Sequence, residues 1–356
     1  METIKLIRPR LGSTTKPLQA YKHKQCSDNE KRSFVSCKPD EMPFTVYEVK
    51  PLSEDRSHPR PVIFEWKSPA KKQPNRTYCL TVARDREFTD IHVRRNVSEK
   101  SVRVYNLHIG TRYFWKVTAR NSKGIISESP VWSFRTSKLP PRWVRVPGIT
   151  NMRDMGGWIL PGNRAIRQGL VYRSSEMNSH VNITEEGRRV LLDELKICTD
   201  LDFRGSREMP APALDVSTVN WVNIPVSGYG GISEDSCKKA YRQAFQIFSN
   251  PSCYPIVFHC WGGADRAGTF AFLLHALLGM RLKDNIYDYE LTSLSIWGER
   301  TRNSADFLAL RQALLPFGAH PEDVNGQVEN YIRSAVGITE EEVESIRSLL
   351  VEKKRY

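Results

Sequence analysis

The stretch YPIVFHCWGGADRAGTF, residues 254–270, constrains the fold of this chain more than any other feature. It begins as an apolar, β-branched run typical of a buried strand, passes through two glycines, and continues as an apolar run typical of a buried helix. A strand that turns directly into a helix is the building unit of parallel α/β sheets. Ligands of such sheets bind where strands end and helices begin, so this loop is a candidate functional site.

Strand-like and helical segments alternate around this unit, which predicts an α/β domain over residues 148–356, with a mostly parallel central sheet flanked by helices. GLVYRS and ICTDLDFR are predicted strands, and TEEGRRVLLDELK and SCKKAYRQAFQIFS are predicted helices. Near the end, Thr339 and Glu342 form a capping box ahead of an apolar helical face. The last helix therefore has both a defined start and a packing surface.

The pattern is different before this domain. Residues 58–137 contain short alternating runs, PVIFEW, TYCLTVAR, SVRVYNL, YFWKVTAR and VWSFRT, separated by turn-rich connectors. This pattern predicts an all-β antiparallel sandwich. Successive prolines in SKLPPRWVRVPG predict a linker over residues 138–147. Residues 1–57 are polar and basic without a sustained period, so we predict an extended segment, with one candidate strand at residues 44–49.

Charge and hydrophobicity limit the kinds of partner and the location that we expect for this chain. A net charge of +13 favours anionic partners such as nucleic acid, a membrane surface or a phosphorylated substrate. The basic residues are dispersed and no nucleic-acid-binding signature is present, so nucleic acid is not predicted. We predict no transmembrane helix, because the chain has no apolar run of about 18 residues. The opening METIKLIRPRLGS lacks the features of a secretory leader. We therefore expect a cytoplasmic protein if the chain is complete, and a periplasmic or secreted one if a leader has been removed.

The seven cysteines leave at least one free thiol in any pairing scheme. Cys26 and Cys37 could form a disulfide in an exported protein. The other cysteines follow neither CxxC nor Cys/His zinc spacing, so we predict no metal site and no cofactor.

Within the glycine-containing loop, Gly262 and Gly263 would permit positive φ and a close backbone approach, so that successive N–H groups converge on one anion. The positive end of the following helix would add to this field, which also favours the thiolate of Cys260. Arg266, six residues after Cys260, offers a planar fork for two phosphate oxygens. The loop is thus suited to nucleophilic attack by Cys260 on a bound phosphate.

The pattern resembles the signature of cysteine-dependent phosphatases. Its fuller form, His259-Cys260-x-x-Gly263-x-Asp265-Arg266-x-Gly268, is similar to their bacterial-type tyrosine phosphatase family. NMRDMGGW, GLVYRSSEM, LDFRGSREM and the ending VENYIRSAVGITEEEVESIRSLL resemble further blocks of that family, so the resemblance covers about residues 145–352. It implies a phosphomonoester hydrolase acting through a phosphocysteine. The implied phosphate-binding loop contains His259, Trp261, Gly262, Gly263, Ala264, Ala267 and Gly268.

Expulsion of a phenolate is eased by a carboxylic acid, and two residues could supply it. The family resemblance places Asp202 of DLDFR at a strand end facing the loop, whereas Asp265 lies inside the loop. We favour Asp202 as the acid, and Asp265 as a second acid/base or a brace for the loop. Pairing with an arginine, Arg204 or Arg266, is the alternative for each. For His259 we favour an orienting role over that of a general base.

Two departures from the wider superfamily affect these expectations. Ala267 stands where a Ser or Thr after the arginine often steadies the departing thiolate, so we expect slow breakdown of the phosphocysteine. Ala264 stands where relatives that accept phosphoinositides tend to carry a lysine, which favours phosphotyrosine. A phosphoinositide or broad-specificity phosphatase, and a weakly active phosphate-binding protein, are the alternatives.

The sandwich also resembles a known domain. FEW, YCLTVARDREFTD, LHIGTRYFWKVTARNSKG and WSFRT are similar to a fibronectin type III domain. Leu107 and Tyr113 stand at its tyrosine corner, and Trp66 and Trp132 would then be core residues. Such a module implies contact with a protein partner or a spacer role.

Overall fold

A computed structural model of the chain describes residues 4–16, 55–68, 76–208 and 211–354. The candidate strand at residues 44–49 and the candidate Cys26–Cys37 pair lie outside these ranges. The chain divides into two compact units. Of the described residues, the first comprises 4–16, 59–68 and 76–142, and the second comprises 55–58, 143–208 and 211–354.

The first unit is an all-β sandwich. Its strands are β1 (Lys5–Arg8), β2 (Ser13–Thr14), β3 (Val62–Lys67), β4 (Thr77–Ala83), β5 (Ile91–Val97), β6 (Ser101–Val104), β7 (Arg112–Asn121), β8 (Gly124–Glu128) and β9 (Trp132–Arg135). One sheet has the order β1-β3-β6, and the other has the order β2-β9-β7-β4-β5 with β8 paired to β7. The described pairs are antiparallel apart from β2 with β9.

Side chains from both sheets share one apolar core. Along β3, Val62, Phe64 and Trp66 point inward in strict alternation, as expected of a strand with one buried face. Trp66 is fully buried and Trp132 packs at the edge of the core, as the sequence predicted. Tyr113 is also buried, and its hydroxyl accepts a hydrogen bond from the backbone N–H of His108 at 2.9 Å.

The sandwich begins earlier than the sequence indicated. Residues 5–14 were expected to belong to an extended segment, but β1 pairs antiparallel with β3, and Ile4 and Leu6 lie in the core. A strand of four residues is too short for its alternation to be recognised. Ser57, also in the segment predicted to be extended, lies in the second unit, where its Oγ accepts the N–H of Asn151 at 2.7 Å.

The second unit combines sheets and helices. Its strands are β10 (Arg142–Trp143, at the junction of the two units), β11 (Arg153–Asp154), β12 (Ile159–Leu160), β13 (Arg164–Ile166), β14 (Val171–Ser174), β15 (Thr199–Asp202), β16 (Asn220–Asn223), β17 (Ile256–His259) and β18 (Val351–Lys353). Its α-helices are α1 (Glu185–Arg189), α2 (Asp235–Ser249), α3 (Arg266–Leu277), α4 (Leu282–Glu290), α5 (Ala305–Leu314), α6 (Val324–Asn330) and α7 (Glu340–Leu350).

The central sheet has the order β10-β11-β14-β17-β15-β16, and β14, β17, β15 and β16 run parallel. The prediction of a mostly parallel sheet flanked by helices is confirmed. A smaller antiparallel sheet, β12-β13-β18, lies apart from it. The capping box of Thr339 and Glu342 starts α7, as predicted.

Different helices cover the two faces of the central sheet. Phe258 packs against Phe248 of α2 and Phe270 of α3. The adjacent Val257 points to the opposite face, where it clusters with Leu191 in the π-helical turn that continues α1. The sheet is therefore buried on both faces, which explains the continuous apolar runs of its strands.

The predicted linker is partly structured. Within residues 138–147, β10 forms the edge of the central sheet, and Trp143, Val144 and Val146 are buried. The prolines indicated extended chain correctly, but extended chain can also serve as an edge strand. In the described part of the chain, no helix is long and apolar enough to cross a membrane.

Candidate active site

The loop after β17 lies at the middle of the parallel sheet. β17 runs between β14 and β15, and Ser174, His259 and Asp202 end the three strands side by side. α3 begins at Arg266, so residues 260–265 form the whole connection. Cys260 is only 2% exposed. The predicted strand, loop and helix are thus all present, with the cysteine at the strand's carboxyl end.

Three successive backbone carbonyl groups of this loop accept hydrogen bonds from residues outside the loop. The O atom of Trp261 accepts from Glu176 N at 2.7 Å, that of Gly262 from Asn151 Nδ2 at 2.8 Å, and that of Gly263 from Arg173 Nη2 at 2.6 Å. Carbonyls that point outward turn the intervening N–H groups inward. Together with the start of α3, these N–H groups form a cradle for an anion.

The two loop glycines serve different purposes. Gly263 has φ of +64°, and a Cβ there would lie 2.2 Å from the carbonyl oxygen of Ser174. Gly262 is not among the residues with positive φ, contrary to prediction. A Cβ at Gly262 would instead lie 2.7 Å from Cγ of Trp297, so close packing requires this glycine.

The donors behind the loop belong to a buried ion network. Arg153 donates to Asn151 Oδ1 at 2.6 Å and to Asp288 Oδ1 at 2.8 Å, and Arg173 donates to Asp288 Oδ2 at 2.8 Å. Burial would raise the pKa of Asp288, but Arg153 and Arg173 outweigh it and hold that pKa far below its usual range. Sequence blocks included the two arginines without assigning them roles, and no local signal pointed to Asp288.

Arg266 is paired with a residue that sequence reasoning missed. Its Nη1 and Nη2 donate to Glu208 at 2.5 and 3.2 Å, and Glu208 also accepts from Gly205 N. Burial would raise the pKa of Glu208, but Arg266 outweighs it and holds the carboxylate ionised. Glu208 lies in the LDFRGSREM block, which the sequence had already singled out. Its pairing with Arg266, 58 residues away, could not be inferred from that block.

The geometry of Asp202 disagrees with the role of general acid. Its side chain is completely buried, and its oxygens accept from Arg204 Nε at 3.0 Å and Nη2 at 2.8 Å. Burial would raise the pKa of Asp202, but His259 and Arg204 outweigh it and lower that pKa. Burial and the lowered pKa favour an enclosed, charged carboxylate, which corresponds to the arginine-paired alternative rather than to a proton donor.

His259 lies against two carboxylates. Its Nε2 is 3.0 Å from Asp200 Oδ1 and its Nδ1 is 3.8 Å from Asp202 Oδ1. Burial would lower the pKa of His259, but Asp200 and Asp202 outweigh it and raise that pKa. An imidazole that is fully buried and favoured in its charged form is a poor general base. This environment supports the orienting role.

Asp265 remains accessible. Its side chain is 44% exposed, and Arg300 pairs with it through Nε to Oδ1 at 2.8 Å and Nη2 to Oδ2 at 3.0 Å. The hydroxyl of Tyr229 donates to Oδ1 at 2.5 Å. Burial would raise the pKa of Asp265, but Arg300 and Tyr229 outweigh it and lower that pKa. Sequence reasoning found neither partner, because both come from distant segments.

The remaining loop positions are tightly packed apart from Trp261. Ala264 and Ala267 are buried, and a Cβ at Gly268 would lie 3.2 Å from Arg173 Nη2. Trp261 is 40% exposed, and its ring lies edge-on to His180 with centroids 4.7 Å apart. An exposed aromatic side chain therefore adjoins the cysteine. In the described ranges, no group of three or more His, Cys, Asp or Glu side chains could hold a metal ion.

Comparisons with known proteins agree with this arrangement. A family model described as the tyrosine phosphatase family matches residues 144–352. A candidate tyrosine-protein phosphatase of Cupriavidus necator is 27% identical over 230 residues, which cover 53% of this chain and 82% of the relative.

Two solved structures are also similar to parts of the chain. The core catalytic domain of the PP-IP phosphatase SIW14 from S. cerevisiae is 20% identical, covers 38% of this chain and 78% of its own, and has a TM-score of 0.28. The fibronectin type III domain of human fibronectin type III domain containing protein 3 is 24% identical, covers 22% and 73%, and has a TM-score of 0.20.

Proposed function

Because the chain belongs to the tyrosine phosphatase family, we propose that it hydrolyses phosphotyrosine through a covalent phosphocysteine on Cys260. The observation that carries this proposal is the loop itself. Its carbonyls are held outward by Glu176 N, Asn151 and Arg173, and Arg266 stands at its end. Such a loop binds a phosphate dianion and stabilises the charge that develops during phosphoryl transfer.

The reaction has two steps. The Cys260 thiolate attacks phosphorus, a P–S bond forms, and the P–O bond to the phenolic oxygen breaks as that oxygen receives a proton. Water then attacks phosphorus and gives up a proton, the P–S bond breaks, and the thiolate departs with inorganic phosphate released. Arg266 would turn from Glu208 to two phosphate oxygens, which a planar guanidinium binds in bidentate fashion.

We assign the proton transfers to Asp265. It is the exposed carboxylate of the loop, whereas Asp202 is enclosed and paired with Arg204. Asp265 would protonate the phenolate in the first step and accept the proton of the attacking water in the second. A carboxyl group with a lowered pKa is protonated mainly at acidic pH. We therefore expect an acidic pH optimum for substrates with poor leaving groups.

An aromatic rim supports the preference for an aryl phosphate. Trp261 follows the nucleophile directly and is exposed, and His180 packs on its ring. A phenol ring entering with its phosphate in the loop would find an aromatic surface next to it, where ring contacts contribute about 0.5–1.5 kcal/mol beyond buried area. The buried Ala264 offers no charge for a second phosphate, which weakens the phosphoinositide alternative.

The test compares wild-type protein with Cys260→Ser on phosphotyrosine peptide, phosphoserine peptide and inositol phosphates. We expect turnover of the phosphotyrosine peptide to disappear in the variant while the peptide still binds. Turnover that persists in Cys260→Ser contradicts the mechanism. A higher kcat/KM for inositol phosphates contradicts the substrate class, and binding without turnover in the wild type favours a phosphate-binding protein.

We also propose that the first unit is a fibronectin type III-like module. Two packed sheets and the hydrogen bond at the predicted tyrosine corner, from His108 N–H to Tyr113, support this. Contact with a protein partner is the role that we propose for it.

A further inference from the structure

Arg300 holds Asp265 with a rigid guanidinium. Besides the two bonds to the carboxylate, its Nη1 donates to the carbonyl oxygens of Trp297 at 3.2 Å and Glu299 at 2.9 Å. Its backbone N–H donates to Ser293 Oγ at 2.8 Å. A guanidinium with its other donors engaged cannot follow a moving partner. Arg300 therefore fixes the place of Asp265.

Tyr229 contacts the same carboxylate from the other side. Its hydroxyl donates to Asp265 Oδ1 and is 3.0 Å from the hydroxyl of Tyr289. Tyr229 has φ of +55°, which is unfavourable for a bulky residue. Its backbone N–H donates to Thr269 Oγ1 in the first turn of α3 at 2.8 Å. The backbone of Tyr229 is thus strained at the position from which its hydroxyl contacts Asp265.

The two oxygens of Asp265 are not equivalent. Oδ1 accepts from both Tyr229 and Arg300, whereas Oδ2, among the residues that the structure describes, accepts from Arg300 alone. The carboxylate does not cap α3, although Asp265 occupies the N-cap position. Oδ2 therefore keeps a lone pair for a proton, on a side chain that is 44% exposed. Oδ2 is the atom that can exchange a proton with a substrate.

We propose that Arg300 is a positioning residue that holds Asp265 beside the bound phosphate and sets the pH range in which Oδ2 donates its proton. In the described part of the chain, Arg300 and Arg266 are the main cations that act on Asp265, and Tyr229, whose hydroxyl contacts that of Tyr289, supplies the facing hydroxyl. This inference rests on the proposed function, because it assumes that Asp265 is the general acid.

The pairing favours one half of the reaction over the other. A nearby cation stabilises the charged carboxylate, so Arg300 favours Asp265 as the base that activates water on the phosphocysteine. The same interaction restricts its protonated form, which is needed to expel the phenolate, to lower pH. At neutral pH, Arg300 thus slows the first step and accelerates the second.

The experiment measures kcat/KM against pH for phenyl phosphate, whose poor leaving group needs the acid. This parameter reports steps up to the first irreversible one, here phenol release. For Arg300→Gln we expect the alkaline limb to move upward by about one pH unit, since an opposite charge shifts a carboxyl pKa by about 1–3 units. Arg300→Lys retains the charge without the fork, so the limb should stay near that of the wild type while kcat/KM falls.

Controls separate this inference from the proposed function. Arg333→Gln removes an arginine from a surface pair with Glu340, and should leave the profile unchanged. If Arg300→Gln does not fold, Tyr229→Phe removes a donor to Oδ1 and should move the limb in the same direction. If the alkaline limb of the kcat/KM profile does not move in folded Arg300→Gln but disappears in Asp265→Asn, the role of Arg300 is overturned while Asp265 remains the acid. A limb that persists in Asp265→Asn overturns the assignment of the acid.

Discussion

At the scale of single residues, neighbours decide what each carboxylate of the site can do. Asp202 and Asp265 both carry a charge, and an arginine holds each of them. Asp202 is enclosed at a strand end, whereas Asp265 is open to solvent. Two residues with the same chemistry therefore differ in exposure and in partners, which is why we propose Asp265, and not Asp202, as the proton carrier.

Ala267 supports a prediction at this scale. It is fully buried in the first turn of α3 and offers no hydroxyl to the departing thiolate. We expect a burst of phenol followed by a slower steady rate limited by breakdown of the phosphocysteine. Ala267→Thr should raise the steady rate about tenfold, the equivalent of one hydrogen bond to a charged group. Rapid-quench kinetics measure both phases.

Ala267→Val is the matched control, because it has the shape of threonine without the hydroxyl. It carries the same cost of crowding in the core and should not raise the rate. Absence of a burst in the wild type, combined with a slower Thr variant, would contradict the idea.

At the scale of secondary-structure elements, the active loop depends on segments far away in sequence. Asn151 follows β10, Arg173 lies in β14, and Arg300 lies between α4 and α5. The parallel sheet brings the ends of β14, β17 and β15 to one edge, so their side chains meet around residues 260–265. Each of these side chains donates to one carbonyl group or one carboxylate of the loop, and together they fix the conformation of residues 260–265.

The hydrogen bond to the Tyr113 hydroxyl supports a prediction for the elements of the sandwich. The hydroxyl of Tyr113 in β7 accepts from the backbone N–H of His108, in the turn between β6 and β7. Tyr113→Phe leaves that partly buried N–H without its partner, which should lower the free energy of unfolding by about 1–3 kcal/mol. Urea unfolding measures the difference.

Tyr78→Phe serves as the comparison, because it removes a hydroxyl from the same core, where no hydrogen bond to it occurs among the described residues. It should cost clearly less. Equal losses for the two variants would contradict a structural corner at Tyr113.

At the scale of the whole molecule, the sandwich contains two buried histidines whose protonation bears on its stability. His92 and His108 face each other in the sandwich, with ring centroids 5.7 Å apart. Burial, with Arg142 and Arg84 nearby, lowers the pKa of His92 from 6.5 to about 4, and burial lowers that of His108 well below its usual value. Both imidazoles are therefore neutral in the folded unit.

Acid should consequently destabilise the sandwich. Below pH 6.5 the unfolded chain binds protons that folded His92 does not bind until about pH 4. The contribution of neutral His92 to the free energy of unfolding is therefore fully present above pH 6.5 and is lost as the pH falls toward 4. The loss is on the order of 1–3 kcal/mol. Calorimetry of the full chain between about pH 7 and pH 4.5 should show one transition moving to lower temperature.

His92→Gln should reduce that movement, and His320→Gln, an exposed histidine of the second unit, should not. An equal shift of the transition in wild type and His92→Gln would show that His92 does not cause it.

The sequence alone predicted Cys260 as the nucleophile and Arg266 as the phosphate-binding residue, and it indicated the strand-loop-helix unit and the order of an all-β unit before an α/β unit. These follow from local patterns, because loop chemistry and hydrophobic periodicity are written in adjacent residues. Only the tertiary structure decided that Asp202 is enclosed, that Glu208 holds Arg266 and that Arg300 and Tyr229 hold Asp265. Burial and ion pairing join residues distant in sequence, so no local pattern could specify those partners.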